Sequence, residues 1–106
     1  MKKVNRLLKN QDFKKVLNKK QSVANKEYVI YKSSNELTHT RVGISVSSKI
    51  GNSVVRHKVK RQISEMVKKI INLNENIDIV IIVRNKYLEN SFIENMESIK
   101  KLLQKI

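Results

Sequence analysis

The hydrophobic positions of this chain change period from block to block, and each block predicts an element. Phe13, Val16 and Leu17 make a short helical face after Asn10, whose side chain can cap it, while Lys14, Lys15, Lys19 and Lys20 fill the rest of that helix. Residues 21–27 read as polar connector. Tyr28-Val-Ile-Tyr-Lys has the aromatic and β-branched content of a strand. Arg41-Val-Gly-Ile-Ser-Val-Ser alternates, with Val42, Ile44 and Val46 on one face and Gly43, Ser45 and Ser47 on a face left open. The loop over residues 33–39 has hairpin length, which predicts that these two strands pair antiparallel.

A longer helix is predicted from Asn52 or Ser53, where Gly51 permits the bend and either polar side chain can accept a bond from a first-turn amide. Val55, Val59, Ile63, Met66, Val67, Ile70 and Ile71 recur along it at helical spacing. His57, Lys60, Arg61, Ser64 and Lys68 fall on the opposite side, with Arg56 and Lys58 at its borders. After the turn Asn72-Leu-Asn-Glu-Asn, the run Ile77-Asp-Ile-Val-Ile-Ile-Val suits an interior strand covered on both faces. Ser91 and Glu94 have capping-box spacing ahead of a final helix with an inward stripe of Phe92, Met96, Ile99, Leu103 and Ile106. The order is αββαβα, an α+β sandwich, and residues 1–106 are long enough for one domain of roughly 13 Å radius of gyration.

Charge changes this picture. The chain carries 23 Lys plus Arg against 9 Asp plus Glu, a net +14, far beyond what solubility requires. Ten cations against two acids lie in residues 1–32, eight against two in residues 33–73, and five against five in the rest, so a polyanion should meet the N-terminal two thirds. Residues 49–61 contain Lys49, Arg56, Lys58, Lys60, Arg61 and His57 and no acid, so no i,i+4 partner neutralises them within that stretch. Nucleic acid is the first candidate partner. A membrane is disfavoured, because the longest apolar run is residues 79–83 and the N-terminus has too short an apolar stretch for a secretion signal. Without cysteine there is neither disulfide nor thiolate metal site, which is compatible with the cytoplasm.

Catalytic chemistry is thinly supplied. His39 sits in a loop and His57 on the basic helix, the carboxylates are scattered, and neither metal-ligand spacing nor a glycine-rich phosphate loop is present. Asp78 can orient a basic neighbour or assist an outer-shell metal water, although a plain strand-edge acid is the simpler reading. No catalytic or metal-ligating residue is therefore assigned. Binding features are better represented: cations on a rigid helix can follow a phosphate backbone. Tyr28 and Tyr31 are three residues apart on one strand and so face opposite ways. One of them, beside Phe13, can stack an unpaired base.

The run Arg41-Val-Gly-Ile-Ser-Val-Ser-Ser-Lys-Ile-Gly-Asn-Ser-Val-Val-Arg-His-Lys-Val-Lys-Arg closely resembles the signature of the bacterial ribonuclease P protein component, and Leu-Lys-Asn-Gln-Asp-Phe ending at Phe13 resembles its N-terminal pattern. The likeness covers nearly the whole chain. It implies a mixed sheet with a left-handed βαβ crossover, against the usual right-handed preference and shared with a ribosomal-protein domain. It further implies a catalytic RNA partner that holds the active site, hydrolytic removal of the 5′ leader of precursor tRNA, a Mg²⁺ requirement, and a protein monomer in a 1:1 complex with that RNA. By the same likeness Lys49, Arg56, His57, Lys58, Lys60 and Arg61 contact the catalytic RNA. Phe13, Leu17 and Tyr31 form a leader-binding cleft with Lys14 and Lys20 at its rim. The chain departs from the family pattern at His57, Lys58, Ser64 and Leu17. A ribosomal protein without a leader cleft and a free protein nuclease are the competing readings.

Overall fold

The computed structural model describes residues 1–106. Its elements are α1 (Asn10–Asn18), β1 (Ser22–Ala24), β2 (Tyr28–Ser34), β3 (Arg41–Ser45), α2 (Ser53–Ile70), β4 (Ile77–Val83) and α3 (Phe92–Leu103), with 3-10 turns at Lys3–Asn5 and Asn85–Glu89. They form an α+β fold around one four-stranded mixed sheet of order β1-β2-β4-β3. The radius of gyration is 12.9 Å.

The predicted hairpin between β2 and β3 does not form. β4 lies between them, antiparallel to β2 and parallel to β3, so β3–α2–β4 is the crossover unit. The physical reason is that β4 is apolar on both faces and must be covered on both, which an interior position provides. The intervening loop closes on the turn before β4: Asn35 N–H donates to the Asn76 carbonyl at 2.9 Å and Thr40 N–H to the Leu73 carbonyl at 3.0 Å. The supposed connector supplies an extra edge strand, with Val23 opposite Ile30 and the tight turn held by Asn25, whose Oδ1 accepts from the amides of Glu27 and Tyr28.

Helix ends also differ in detail. Asn10 is already helical, with Lys9 at the cap position and no side-chain cap. Asn52 caps α2, its side-chain oxygen accepting from Val55 N–H at 3.1 Å. Gly51 has no positive φ. It is small because a β-carbon there would lie 2.9 Å from Val55. The Ser91–Glu94 capping box of α3 forms as predicted. Phe92, however, is exposed, and the inward positions are Asn95, Ile99 and Leu102, flanked by Met96, Leu103 and Ile106.

The sheet has two differently covered faces. Under α2 and α3 lies the main core, including Tyr28, Ile30, Val42, Ile63, Met66, Ile79, Ile81, Ile99 and Leu102. On the other face Leu7, Val16 and Val80 are buried together, with Phe13, Leu17, Tyr31 and Ile82 packed around them. The N-terminal segment covers part of the outer edge of β3: Asn5 Nδ2 donates to the Thr40 carbonyl at 2.7 Å, and Leu7 N–H donates to the Val42 carbonyl at 2.9 Å.

Candidate nucleic-acid interface

Strand register places the residues of the α1-side face in rows. Tyr31, Val80 and Gly43 stand side by side, as do Val29, Ile82 and Ser45, and Ser33, Asp78 and Arg41. α1 lies over the first row, with Phe13 pressed on Gly43, so that part of the face is not open as the alternation suggested. Tyr28, on the opposite side of β2, is buried and donates its hydroxyl to the Asn95 carbonyl at 2.9 Å. Tyr31 is thus the aromatic turned toward α1. It shares a cluster with Phe13 and Leu17, so the structure brings these three predicted residues together. Lys14 and Lys20 are exposed, and Lys20 has a positive φ of 58° at the end of α1. Val29 and Ile82, which complete the next row of this face beside the already expected Ser45, are not singled out by the sequence; once the register is known, period-two alternation identifies them.

One clamp holds α1 to the sheet. Arg41 donates from Nε to Asp78 Oδ1 at 2.9 Å and from Nη2 to Asp78 Oδ2 at 2.6 Å, and its Nη1 reaches Asp12 Oδ2 at 3.2 Å. Asn35 Nδ2 donates to Asp78 Oδ1 at 2.8 Å. Asp78 is therefore no strand-edge acid; it lies on an interior strand and orients a basic neighbour. Hydrogen bonding to Asp78, reinforced by the two negative charges, raises the Arg41 pKa above its ordinary value.

On the far side of β3, α2 buries Val59, Ile63, Met66 and Val67 and turns His57, Lys58, Lys60 and Arg61 to solvent, with Lys49 exposed just before it. None of these five makes an ion pair with an acid of the chain, nor does half-buried Arg56, because the salt bridges are confined to Arg41 with Asp12 and Asp78, and Lys86 with Glu89. Arg56 Nε is buried without an acceptor. Between the N-terminal segment, the β3 edge and α2 runs a groove of about 600 Å³, which Phe13, His57, Lys60 and Arg61 all line. Arg6, Leu8, Val42, Ile44, Ser64 and Glu65 also line it, and of these the sequence reading had placed none in a site. His39 is in the β2–β3 loop, its carbonyl accepting from Asn35 Nδ2, whereas His57 is on α2. No helix is long and apolar enough to cross a membrane.

A cationic helix whose Lys and Arg side chains make no ion pair within the chain, beside a sheet face carrying aromatic side chains, is the arrangement expected of an RNA-binding α+β protein. The Ribonuclease P family model matches residues 1–106. A ribonuclease P protein component from Mesoplasma florum is 41% identical over 97 residues, covering 90% of this chain and 88% of its own. The Staphylococcus aureus RNase P protein superposes with a TM-score of 0.85 at 39% identity, covering 94% of this chain and 93% of that one. The Thermotoga maritima RNase P protein gives 0.82 at 30% identity, with 95% and 96% covered. The chain therefore belongs to the ribonuclease P protein family, the protein components of a tRNA-processing ribonucleoprotein nuclease.

Proposed function

We propose that this chain is the protein subunit of a ribonuclease P holoenzyme in which a catalytic RNA hydrolytically removes the 5′ leader of precursor tRNA. The observation that carries this reading is the placement of two different surfaces on either side of β3. The acid-free cationic stretch of Lys49, Arg56, His57, Lys58, Lys60 and Arg61 suits the phosphate backbone of the catalytic RNA. Half-buried Arg56 has no acid partner in the chain, which leaves its charge to be met by phosphate. The Phe13, Leu17 and Tyr31 cluster suits an unpaired leader, because π-faces and apolar side chains stack on bases that no duplex exposes. Lys14 and Lys20, both exposed, add cations at its rim.

The protein then acts by association. Positive charge between two RNAs screens their repulsion, so less Mg²⁺ is needed to bring the substrate to the catalytic RNA. In this reading Mg²⁺ is held mainly by the RNA, whose phosphates supply the hard oxygen ligands it prefers. The complex works in the cytoplasm as one protein monomer per RNA, with no membrane involved.

The test is 5′ processing of precursor tRNA at low Mg²⁺ by the RNA alone, the protein alone and the two together. Cleavage at the mature 5′ end in the mixture only is the expected result. Cleavage by the protein alone would favour a free protein nuclease, and no enhancement in the mixture would remove the cofactor reading.

A further inference from the structure

The groove between the N-terminal segment, β3 and α2 belongs wholly to neither surface: it shares His57, Lys60 and Arg61 with the docking face and only Phe13 with the leader cleft. We propose that this groove is a base-reading pocket that takes one unpaired nucleotide of the catalytic RNA, selecting a base that carries an exocyclic amino group through Glu65. The inference rests on the docking of that RNA on α2.

Three observations lead there. First, the lining is mixed in the way a nucleotide is mixed. Half-buried Ile44 and the exposed Leu8 offer apolar surface, while Arg6, Lys60 and Arg61 offer cations. A phosphate backbone alone has no use for the apolar surface, and a duplex cannot bring a base edge to it; an extruded nucleotide uses both. The volume of about 600 Å³ lies within the ordinary range of small-ligand sites.

Second, Glu65 is the one carboxylate of the groove, and it has Arg61 and Lys69 at i−4 and i+4. Such neighbours normally pair. The ion pairs of the chain nevertheless all lie elsewhere, leaving Glu65 a free acceptor on an otherwise cationic face. A carboxylate there repels phosphate but accepts a hydrogen bond from a base amino group, which adenine, cytosine and guanine possess and uracil lacks. Third, the α2 side chains that line the groove include three of the docking set, so an RNA seated on α2 lies directly at its mouth.

The experiment footprints the catalytic RNA in complex with the full chain, using hydroxyl radicals for the backbone and a reagent specific for Watson–Crick edges for the bases. The wild-type protein should protect an α2-sized stretch of backbone together with one unpaired A, C or G. Glu65→Ala and Leu8→Ala, both at exposed positions, should each restore roughly tenfold reactivity at that base while leaving the backbone footprint intact. Glu65→Gln, whose amide oxygen still accepts, should keep the protection. A backbone footprint without a protected base would overturn the pocket but not the docking. So would base protection indifferent to Glu65→Ala, or protection found on a substrate leader only. Absence of any backbone footprint would instead remove the docking reading, and the pocket with it.

Discussion

The Phe13 ring occupies the space that a side chain at position 43 would need: a β-carbon on Gly43 would stand 2.5 Å from Phe13 Cζ and 2.9 Å from Cε1. Gly43 is in regular extended strand without a positive φ, so its role is close approach. Because β3 presents no side chain there, the first turn of α1 settles directly on the sheet. That contact sets where the α1 wall of the cleft stands relative to Tyr31, two strands away in the same row.

Gly43→Ala should therefore force Phe13 to move, destabilising the protein by about 1–3 kcal/mol in urea unfolding, the usual cost of overpacking. The same variant should lose affinity for leader-bearing precursor tRNA while keeping the α2 backbone footprint on the catalytic RNA. Adding Phe13→Ala should recover part of the stability, because the two substitutions act on one contact and will not add.

Arg41 and Asp78 share a bidentate pair across the parallel β3–β4 ladder, with Asp78 the more buried of the two. Asp78→Asn removes the negative charge and one of the two acceptor oxygens, leaving Asp12 as the only anionic partner of the guanidinium. A loss of about 2–3 kcal/mol is expected from chemical denaturation, as for other charge-assisted bonds of partly buried groups. Asp12→Asn removes only the longer 3.2 Å contact and should cost distinctly less.

The docking face should reveal itself through salt. If Lys60 and Arg61 each neutralise one phosphate, replacing either by Ala should flatten the slope of log affinity for the catalytic RNA against log salt by about 1. An equal exchange on α3, such as Lys101→Ala, should leave the slope unchanged, because this exposed residue is on the helix beyond the cationic stretch.

Alkaline pH should unfold the protein through two tyrosines. Burial raises the Tyr28 pKa far above its ordinary value of 10 and pushes Tyr87 up to about 12. The folded state holds these protons when the unfolded chain has released them, so the associated stability is complete below pH 10 and is lost as pH rises through and beyond 12. Denaturant midpoints measured upward from pH 9 should fall across this window, and Tyr87→Phe should make the fall shallower. Its hydroxyl also donates to Gln62 Oε1 at 2.8 Å, so that variant should start from a slightly lower stability.

Much of this molecule was legible from residue order, because its signals are local. A 3.6-residue period separates the apolar side of α2 from its cationic side within one element, and the absence of an acid between Lys49 and Gln62 is a property of composition. The capping box at Ser91, the doubly apolar β4 and the opposed directions of Tyr28 and Tyr31 are local for the same reason. So are the signature residues that carried the family resemblance. What only the tertiary structure decided is non-local. Loop length between β2 and β3 favoured a hairpin, but burying both faces of β4 required it to lie between them. That insertion set Asp78 beside Arg41, brought Gly43 under Phe13 and completed a sheet face with Val29, Ile82 and Ser45. The groove is non-local too, since Leu8, Ile44 and Glu65 meet only when the N-terminal segment closes on the β3 edge next to α2. Periodicity reports which way a side chain points from its own backbone; which other backbone it then faces is fixed by how the whole chain buries its apolar surface.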